Sequence, residues 1–447
     1  MSFSHALFAG KRFAVVGLGR NGLPAARALV AIGAAVTVWD DKAAARDAAT
    51  GLVVAEPVMA GLDAVVLSPG IPHHGPQAHA IALAASAAGV PIWSDAELLF
   101  QAVRASGSQA RFAGITGTNG KSTTTALLAH ILDVAGLPVA AGGNLGTAAL
   151  ALPLLRDCGV YVLEMSSYML ERLATLRFDA AVMLNLSPDH LDRHGDMAGY
   201  AAAKHHIFDR QLAGDLAVVG ADDAASRAMA EALRGGPATV VTVSEHGVIA
   251  ELAAAAALPG AHNAQNAAAA TAMALHLGAS AASVAEGISS YPGLPHRQEL
   301  VARRGKIRFV NDSKATNADS TARALVCYDR ILWIAGGMAK DGGIAPLAAY
   351  FPRVVETLLI GRDAPVLAAT LAAHGVAHRD VGTLEAAVAE AWRLARRDGG
   401  EIVVLLSPAC ASWDQFTGFD QRGDRFRTLA QACVNEVSPG NGAGRVS

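Results

Sequence analysis

The 447-residue sequence predicts an α/β protein of three domains, each a mostly parallel sheet with flanking helices, and three observations carry that prediction. Short apolar, β-branched runs recur along the whole chain, at 13–16, 64–67, 161–163, 181–184, 307–310, 331–334, 358–360 and 402–406. Apolar runs of this length fit strands buried on both faces of a parallel sheet. Alanine- and leucine-rich stretches of helical length separate them, such as 23–32 and 123–135, and strand–helix alternation is the pattern of doubly wound sheets. Third, the length suits about three domains at ~150 residues each, and a composition 52% hydrophobic and 17% charged excludes disorder.

Two breaks interrupt the alternation: the polar segment 104–109, and the turn-rich Tyr291-Pro-Gly-Leu-Pro-His-Arg297. They give domains at 1–104, 105–295 and 296–447, with a frayed tail at 438–447. The 36 basic and 39 acidic residues leave a net charge of −3 with no basic run, which argues against a nucleic-acid or anionic-membrane surface. Cys158, Cys327, Cys410 and Cys433 form no C-x-x-C pair, so isolated buried thiols in a reducing compartment are expected. The first eleven residues lack the apolar core of a signal peptide, and the longest apolar stretch, 80–92, is too short to span a bilayer. The expectation is a soluble, cytoplasmic monomer.

In doubly wound sheets, ligands bind outside the carboxyl ends of the strands, so the polar residues after each apolar run are where chemistry is sought. The first run leads into Gly17-Leu-Gly19-Arg20-Asn21-Gly22, and Asp40 follows the next strand at about the spacing of a ribose-binding acid. That Rossmann-like arrangement suits NAD, and equally any ligand carrying a pyrophosphate and a ribose. Ser68-Pro69-Gly70 offers another loop at the same sheet edge; the doublet His73-His74 is assigned no role.

The strongest motif is Gly117-Thr118-Asn119-Gly120-Lys121-Ser122-Thr123, between an apolar strand and a helix-forming run. Glycines let backbone N–H groups turn toward phosphate oxygens, and the helix N-terminus adds partial positive charge. Lys121 would reach the outer phosphates and the Ser122 hydroxyl would ligate Mg²⁺. Ile115 stands where the general pattern has its first glycine. Glu164 ends a strand and is suited to holding a metal beside those phosphates. The polar cluster Asn185-Leu-Ser-Pro-Asp189-His190-Leu-Asp192-Arg193-His194 follows another strand, without the ligand pattern of a zinc site. Lys204 lies in an alanine-rich helical run just after it. In the last domain, Asn311-Asp312-Ser313-Lys314-Ala-Thr316-Asn317, Gly336-Gly337-Met-Ala-Lys340 and Ser407-Pro-Ala-Cys410-Ala-Ser412 each follow a strand. Two lysines, hydroxyls and backbone amides at three strand ends make a natural site for an acidic substrate.

Together these motifs resemble the Mur ligases of peptidoglycan synthesis, over essentially the whole chain. Gly117-Thr-Asn-Gly-Lys-Ser-Thr123 is similar to that family's own phosphate loop, which accounts for Ile115. Ser187-Pro-Asp-His-Leu-Asp-Arg193, Leu294-Pro-His-Arg297, Asn311-Asp-Ser-Lys-Ala-Thr-Asn317 and Ser407-Pro-Ala-Cys-Ala-Ser412 look like those of the D-glutamate-adding member, and the Asp-Asn-Pro-Arg motif of the diaminopimelate-adding member is absent. The resemblance implies a Rossmann-like first domain for the UDP sugar, a P-loop ATPase-like central domain and a Rossmann-like last domain for glutamate. It implies ATP-dependent ligation of D-glutamate to UDP-N-acetylmuramoyl-L-alanine through an acyl phosphate, with ATP and Mg²⁺ as cofactors and no macromolecular partner. The alternatives are an L-glutamate or folylpolyglutamate type of the same superfamily, or an NAD-dependent oxidoreductase using the first domain.

Residue by residue, the resemblance implies ATP binding by Gly117, Thr118, Asn119, Gly120, Lys121, Ser122, Thr123, Asn263, Asn266, Arg297 and Asp312. It puts Ser122 and Glu164 on one metal and His190 with a carbamylated Lys204 on a second, so that Lys121, His190 and Lys204 carry the catalysis. Arg20, Asn21, Asp40, Asp41, Lys42, Ser68, Pro69, Gly70 and Asn144 match the UDP-substrate site, and Lys314, Thr316, Lys340, Ser412 and Phe419 the glutamate pocket. Around Lys340, Gly-Gly-Met-Ala-Lys-Asp-Gly-Gly replaces a more acidic spacing.

Overall fold

The computed structural model describes residues 2–144, 146–247, 252, 255, 257–340 and 342–435. The expected frayed tail at 438–447 therefore lies outside the described residues. Three sheets are distributed over two compact units, Met1–Ala255 with Ala261–Tyr291, and Ala256–Gly260 with Pro292–Ser447.

The first unit holds two sheets. One is built from β1 (Arg12–Val16), β2 (Ala35–Trp39), β3 (Val53–Val54), β4 (Ala64–Leu67) and β5 (Ile92–Trp93), in the order β3-β2-β1-β4-β5. All its pairings are parallel. The order reverses between β1 and β4, so their carboxyl ends open a crevice where a ligand can sit. Gly22 begins the helix Gly22–Ala31; a Cβ there would lie 1.8 Å from Gly17 O, so only glycine allows this helix to approach the strand end so closely.

The second sheet comprises β6 (Arg111–Thr116), β7 (Val139–Gly143), β8 (Val160–Glu164), β9 (Ala180–Met183), β10 (Leu216–Gly220) and β11 (Thr239–Val243), ordered β11-β10-β9-β6-β8-β7 and wholly parallel. Strands β8, β9 and β10 are buried at every residue, as their unbroken apolar runs predict. Here too the order reverses about β6, which delivers the phosphate loop into the crevice. Ile115 is still strand, paired with Glu164 and Val182, which is why the first glycine of the general phosphate-loop pattern is not needed.

The expected break at 104–109 is a well-packed joint. The helix Asp95–Ala105 runs through Arg104, and its Phe100 meets Phe112 of β6 edge-on at 5.2 Å, while Phe112 stacks on Tyr161 of β8 at 4.8 Å. Glu97, fully buried, accepts from the backbone N–H groups of Ala174, Thr175 and Leu176 at 2.9–3.0 Å. Such contacts make the first two sheets one compact unit.

The second unit carries β12 (Glu299–Arg304), β13 (Ile307–Asn311), β14 (Ile331–Gly336), β15 (Val354–Ile360), β16 (His378–Gly382) and β17 (Ile402–Leu406) in the order β12-β13-β17-β14-β15-β16. Only the edge strand β12 is antiparallel. Among the described residues no helix is long and apolar enough to cross a membrane. The expectation of four buried thiols is corrected: Cys410 is buried, Cys327 and Cys433 are half-buried, and Cys158 is exposed, because Cys158 lies on the turn before β8 rather than in a strand.

Candidate active site

Gly117 and Gly120 adopt φ of +147° and +84°, turning the loop so that Gly120 caps the helix Lys121–Val134. A Cβ on Gly120 would fall 2.3 Å from Asn266 Oδ1, so the loop lies directly on the helix His262–His276. Asn263 and Asn266 are both buried there; Asn266 Oδ1 accepts from Thr124 Oγ1 (3.3 Å) and its Nδ2 donates to Asn263 Oδ1 (2.9 Å). The loop is held from its other side by the segment after β9. Asn185 O accepts from Thr118 N and Asn185 Oδ1 from Asn119 N, both at 2.9 Å, and Asn185 Nδ2 donates to Gln265 Oε1 at 3.2 Å. Sequence reasoning quoted Asn185 without giving it a role and passed over Gln265; the signal for Asn185 was its place directly behind an apolar strand.

Two lysines converge on the loop. Lys121 Nζ donates to Gly117 O and Thr118 O, both at 2.8 Å. Lys204 Nζ donates to the same Gly117 O at 2.9 Å and to Thr116 Oγ1 at 3.3 Å. Lys204 is 1% exposed on the helix Met197–His205, with its amine 4.6 Å from the centre of the Tyr200 ring. Burial, and then the neighbouring Lys121, lower its pKa well below the usual lysine range, since both disfavour the ammonium.

Glu164, at the end of β8, is 3% exposed. Its Oε1 accepts from Asn144 Nδ2 (2.7 Å), and its Oε2 is buried with no hydrogen-bond partner among the described residues. A buried carboxylate oxygen without a partner is costly. With the buried Ser122 hydroxyl it offers the hard oxygen donors that Mg²⁺ takes, so these residues fit the metal. The acidic residue does not cap the following helix; Ser166 does, accepting from Met169 N. His190 is more exposed than this group, and its ring stands edge-on to that of Tyr200 at 6.4 Å, the ring over which the Lys204 amine lies. It adopts φ +54° on a loop, its side chain 47% exposed, with Nε2 3.5 Å from Asp189 Oδ2 and its ring 5.1 Å from Tyr168. The buried histidine of the cluster is His194, 1% exposed in its side chain and bonded through Nε2 to Ser167 Oγ at 2.9 Å.

At the edge of the first sheet, Asp40 accepts from Leu18 N (2.7 Å) and Lys42 N (2.9 Å), and Ser68 Oγ donates to Gly17 O at 2.8 Å. The carboxylate thus shapes the glycine turn. Gly19 and Gly70 have open space where a Cβ would stand. Asn21 Nδ2 donates to Gly143 O (3.1 Å), just before Asn144, so this turn touches the segment that also holds Glu164. Asp41 is exposed and pairs with His79; Arg20 and Lys42 are exposed, and Pro69 is half-buried.

In the second unit the three strand ends are tied together by Arg422, a fully buried guanidinium that sequence reasoning missed. It donates to Ser313 Oγ (3.0 Å), Ser313 O (2.9 Å), Cys410 O (3.1 Å) and Gly336 O (3.5 Å). Met338 and Ala411 exchange backbone hydrogen bonds at 2.8 and 2.9 Å, which brings the loop of the exposed Lys340 beside the buried Ser412. Lys314 Nζ lies 5.7 Å from the centre of the Phe419 ring, and Thr316 is half-buried, one residue before the helix-capping Asn317. Asp312 accepts from Ser407 Oγ at 2.7 Å and from Gln298 N at 3.2 Å; burial pushes its carboxyl up to about 7, a rise that the charge of Arg297 moderates.

A glycine-turned loop at a helix N-terminus, a buried strand-end carboxylate and a desolvated lysine gather at one sheet edge, an arrangement suited to phosphate groups. The chain belongs to the Mur ligase family. The Mur ligase middle domain matches residues 115–257 and the Mur ligase glutamate ligase domain residues 296–410. The UDP-N-acetylmuramoylalanine–D-glutamate ligase of Paramagnetospirillum magneticum is 50% identical, covering 95% of this chain and 97% of its own length. The enzyme of that name from Rhodospirillum rubrum is 46% identical over 98% of each chain. Among solved structures, UDP-N-acetylmuramate-alanine ligase MurC from Thermotoga maritima (TM-score 0.57, 18% identity, 94% of this chain and 99% of that one) and MurF from Acinetobacter baumannii (0.58, 17%, 96% and 93%) share the fold. The chain is thus an ATP-dependent, amide-bond-forming ligase.

Proposed function

We propose that this protein joins D-glutamate to UDP-N-acetylmuramoyl-L-alanine in the cytoplasm, as a monomer that binds neither nucleic acid nor membrane, releasing ADP and phosphate. The observation that carries the reading is the unpartnered Glu164 Oε2 beside the phosphate loop, in a chain whose close relatives bear that enzyme's name.

A carboxylate resists attack by an amine. Transfer of the γ-phosphoryl group of ATP to the alanine carboxylate makes an acyl phosphate, and the glutamate nitrogen then displaces phosphate through a tetrahedral species. Gly117, Thr118, Asn119, Gly120 and Thr123 cradle the phosphates with backbone and hydroxyl donors, Asn263 and Asn266 support the loop from below, and Arg297 and Asp312 serve the nucleotide. Lys121, released from the loop carbonyls it now binds, offsets the charge of the transferring phosphoryl. Ser122 and Glu164 would hold one Mg²⁺ and His190 with Lys204 a second, and these ions would supply the positive charge that lets two anions approach. Lys204 can serve as a ligand only after change: its neutral amine adds CO₂ and loses a proton, leaving an anionic carbamate with two oxygen donors. Arg20, Asn21, Asp40, Asp41, Lys42, Ser68, Pro69, Gly70 and Asn144 bind the UDP sugar, and Lys314, Thr316, Lys340, Ser412 and Phe419 the amino acid. The deciding experiment measures ADP release with UDP-N-acetylmuramoyl-L-alanine and either D- or L-glutamate. Turnover with the D isomer alone is expected; turnover only with the L isomer, or none with this UDP sugar, would overturn the reading.

A further inference from the structure

Eight residues beyond Glu164 the chain places a second buried guanidinium, and it serves the other sheet. Arg172 is 2% exposed. Its Nη1 donates to Leu67 O (2.9 Å) and Ser68 O (3.1 Å), its Nη2 to Ile71 O (2.5 Å), and its Nε to His73 Nδ1 (3.4 Å). Its backbone carbonyl accepts from Ser94 N at 3.1 Å. Three carbonyls of one turn, Leu67 to Ile71, thus share one planar donor group reaching across from the second sheet. Beyond the β1–β4 ladder, which ends at Leu67, the hydrogen bonds that hold this turn to its own sheet among the described residues are Ser68 Oγ to Gly17 O and Ser68 N to Val16 O, with Ile71 N to Ser68 O within the turn.

The neighbours suit this task. His73 must be neutral to accept at Nδ1, and burial together with Arg172 pushes its pKa down to about 3. Arg193 adds a donor to Ile71 O (3.3 Å), and Glu171, paired with His74 at 3.1 Å, supplies negative charge beside the two guanidiniums. The ligand atoms of His73, His74 and Glu171 lie within 4.8 Å of one another, a spacing that a divalent cation could span. Two guanidiniums at His73 Nδ1, however, repel a cation and already use that nitrogen.

We propose that Arg172 is the positioning residue of the UDP-sugar site: from the ATP-binding half of the unit it fixes the path of Ser68-Pro69-Gly70-Ile71, so that this loop meets the UDP sugar already ordered. The proposal rests on the reading that the Ser68–Gly70 turn touches that substrate. A loop ordered before binding spares the ligand the cost of ordering it, and releasing about one to two residues' worth of backbone order weakens binding roughly ten- to hundred-fold.

The test compares the full-length wild type with Arg172→Met, which keeps an apolar stem, and Arg172→Lys. The Michaelis constants for UDP-N-acetylmuramoyl-L-alanine and ATP are measured, with direct titration of the UDP sugar. Arg172→Met is expected to raise the UDP-sugar constant about ten- to hundred-fold, with the ATP constant and kcat within about twofold. Arg172→Lys, whose ammonium reaches fewer carbonyls, is expected to recover part of the loss. Unchanged UDP-sugar affinity in Arg172→Met, or equal damage to the ATP constant, would overturn the proposal. If Arg172→Met does not fold, Arg172→Lys decides by the same split. Gly70→Trp separates the two readings, because the space above Gly70 is open. If it leaves the UDP-sugar constant untouched, the site assignment fails; if it raises that constant while both Arg172 variants behave as wild type, only the role of Arg172 fails.

Discussion

Replacing Lys204 tests the proposed metal site most sharply, because two lysine amines share one carbonyl oxygen there. Lys121 Nζ and Lys204 Nζ lie 2.8 and 2.9 Å from one oxygen, Gly117 O. They are therefore less than about 6 Å apart, where two unit charges repel by about 3 kcal/mol at an effective dielectric of 20. Burial is the larger penalty on the ammonium, and both effects favour the free amine. CO₂ captures such an amine as a carbamate, which adds negative charge next to Lys121 and relieves the repulsion. Lys204→Ala is expected to lower kcat by about 10²–10³, the loss common when one preorganised group at a phosphoryl or acyl centre is removed. Lys204→Arg should fail equally, since it restores the cation. The assays are ADP release and carbon NMR with labelled bicarbonate. A fully active enzyme whose Lys204 carries no labelled carbon would refute the reasoning.

Three further outcomes are expected. Lys121→Ala should lose about 10²–10³ in ligation rate while titration still shows the UDP sugar binding; near-normal turnover would remove the phosphate loop from the mechanism. Gly19→Trp fills space left open beside the glycine turn and should raise the Michaelis constant for the UDP sugar and spare that for ATP, whereas saturable NADH binding to the wild type would favour a dehydrogenase. Asp312 titrates near 7 in the folded chain and near 3.9 when unfolded. Its folded pKa is raised, so its contribution to stability is full below about 4 and is lost as pH rises through about 7, on the order of 4 kcal/mol in all. Asp312→Asn should therefore flatten the fall in melting temperature between pH 5 and 8, and an unchanged pH profile would count against the buried carboxylate.

The strands that were legible in the sequence are the central ones. β4, β8, β9, β14 and β17 are apolar on both faces because both are covered, and that condition is written in consecutive residues. Edge strands were not legible in that way. β12 reads Glu-Leu-Val-Ala-Arg-Arg and β16 His-Arg-Asp-Val-Gly, half-exposed in the fold, and one covered face leaves no continuous apolar run. The phosphate loop, Glu164 and the glycine turn were visible because each is local: a strand, a turn and a helix start within about ten residues.

Sequence alone determined the class of fold and where glycine turns and polar strand ends stand, since these are decided by neighbours in the chain. Tertiary structure decided what the scattered residues do to one another. Lys204 is an ordinary lysine in its helix; the fold disfavours its charged form by burying it and by bringing Lys121 to the same carbonyl of Gly117, 87 residues away. Arg172 and Arg422 look like surface charges in the sequence, yet the fold buries both and spends them on carbonyl groups of distant loops. Desolvation and long-range hydrogen bonds are properties of the packed interior, so no local pattern of residues encodes them.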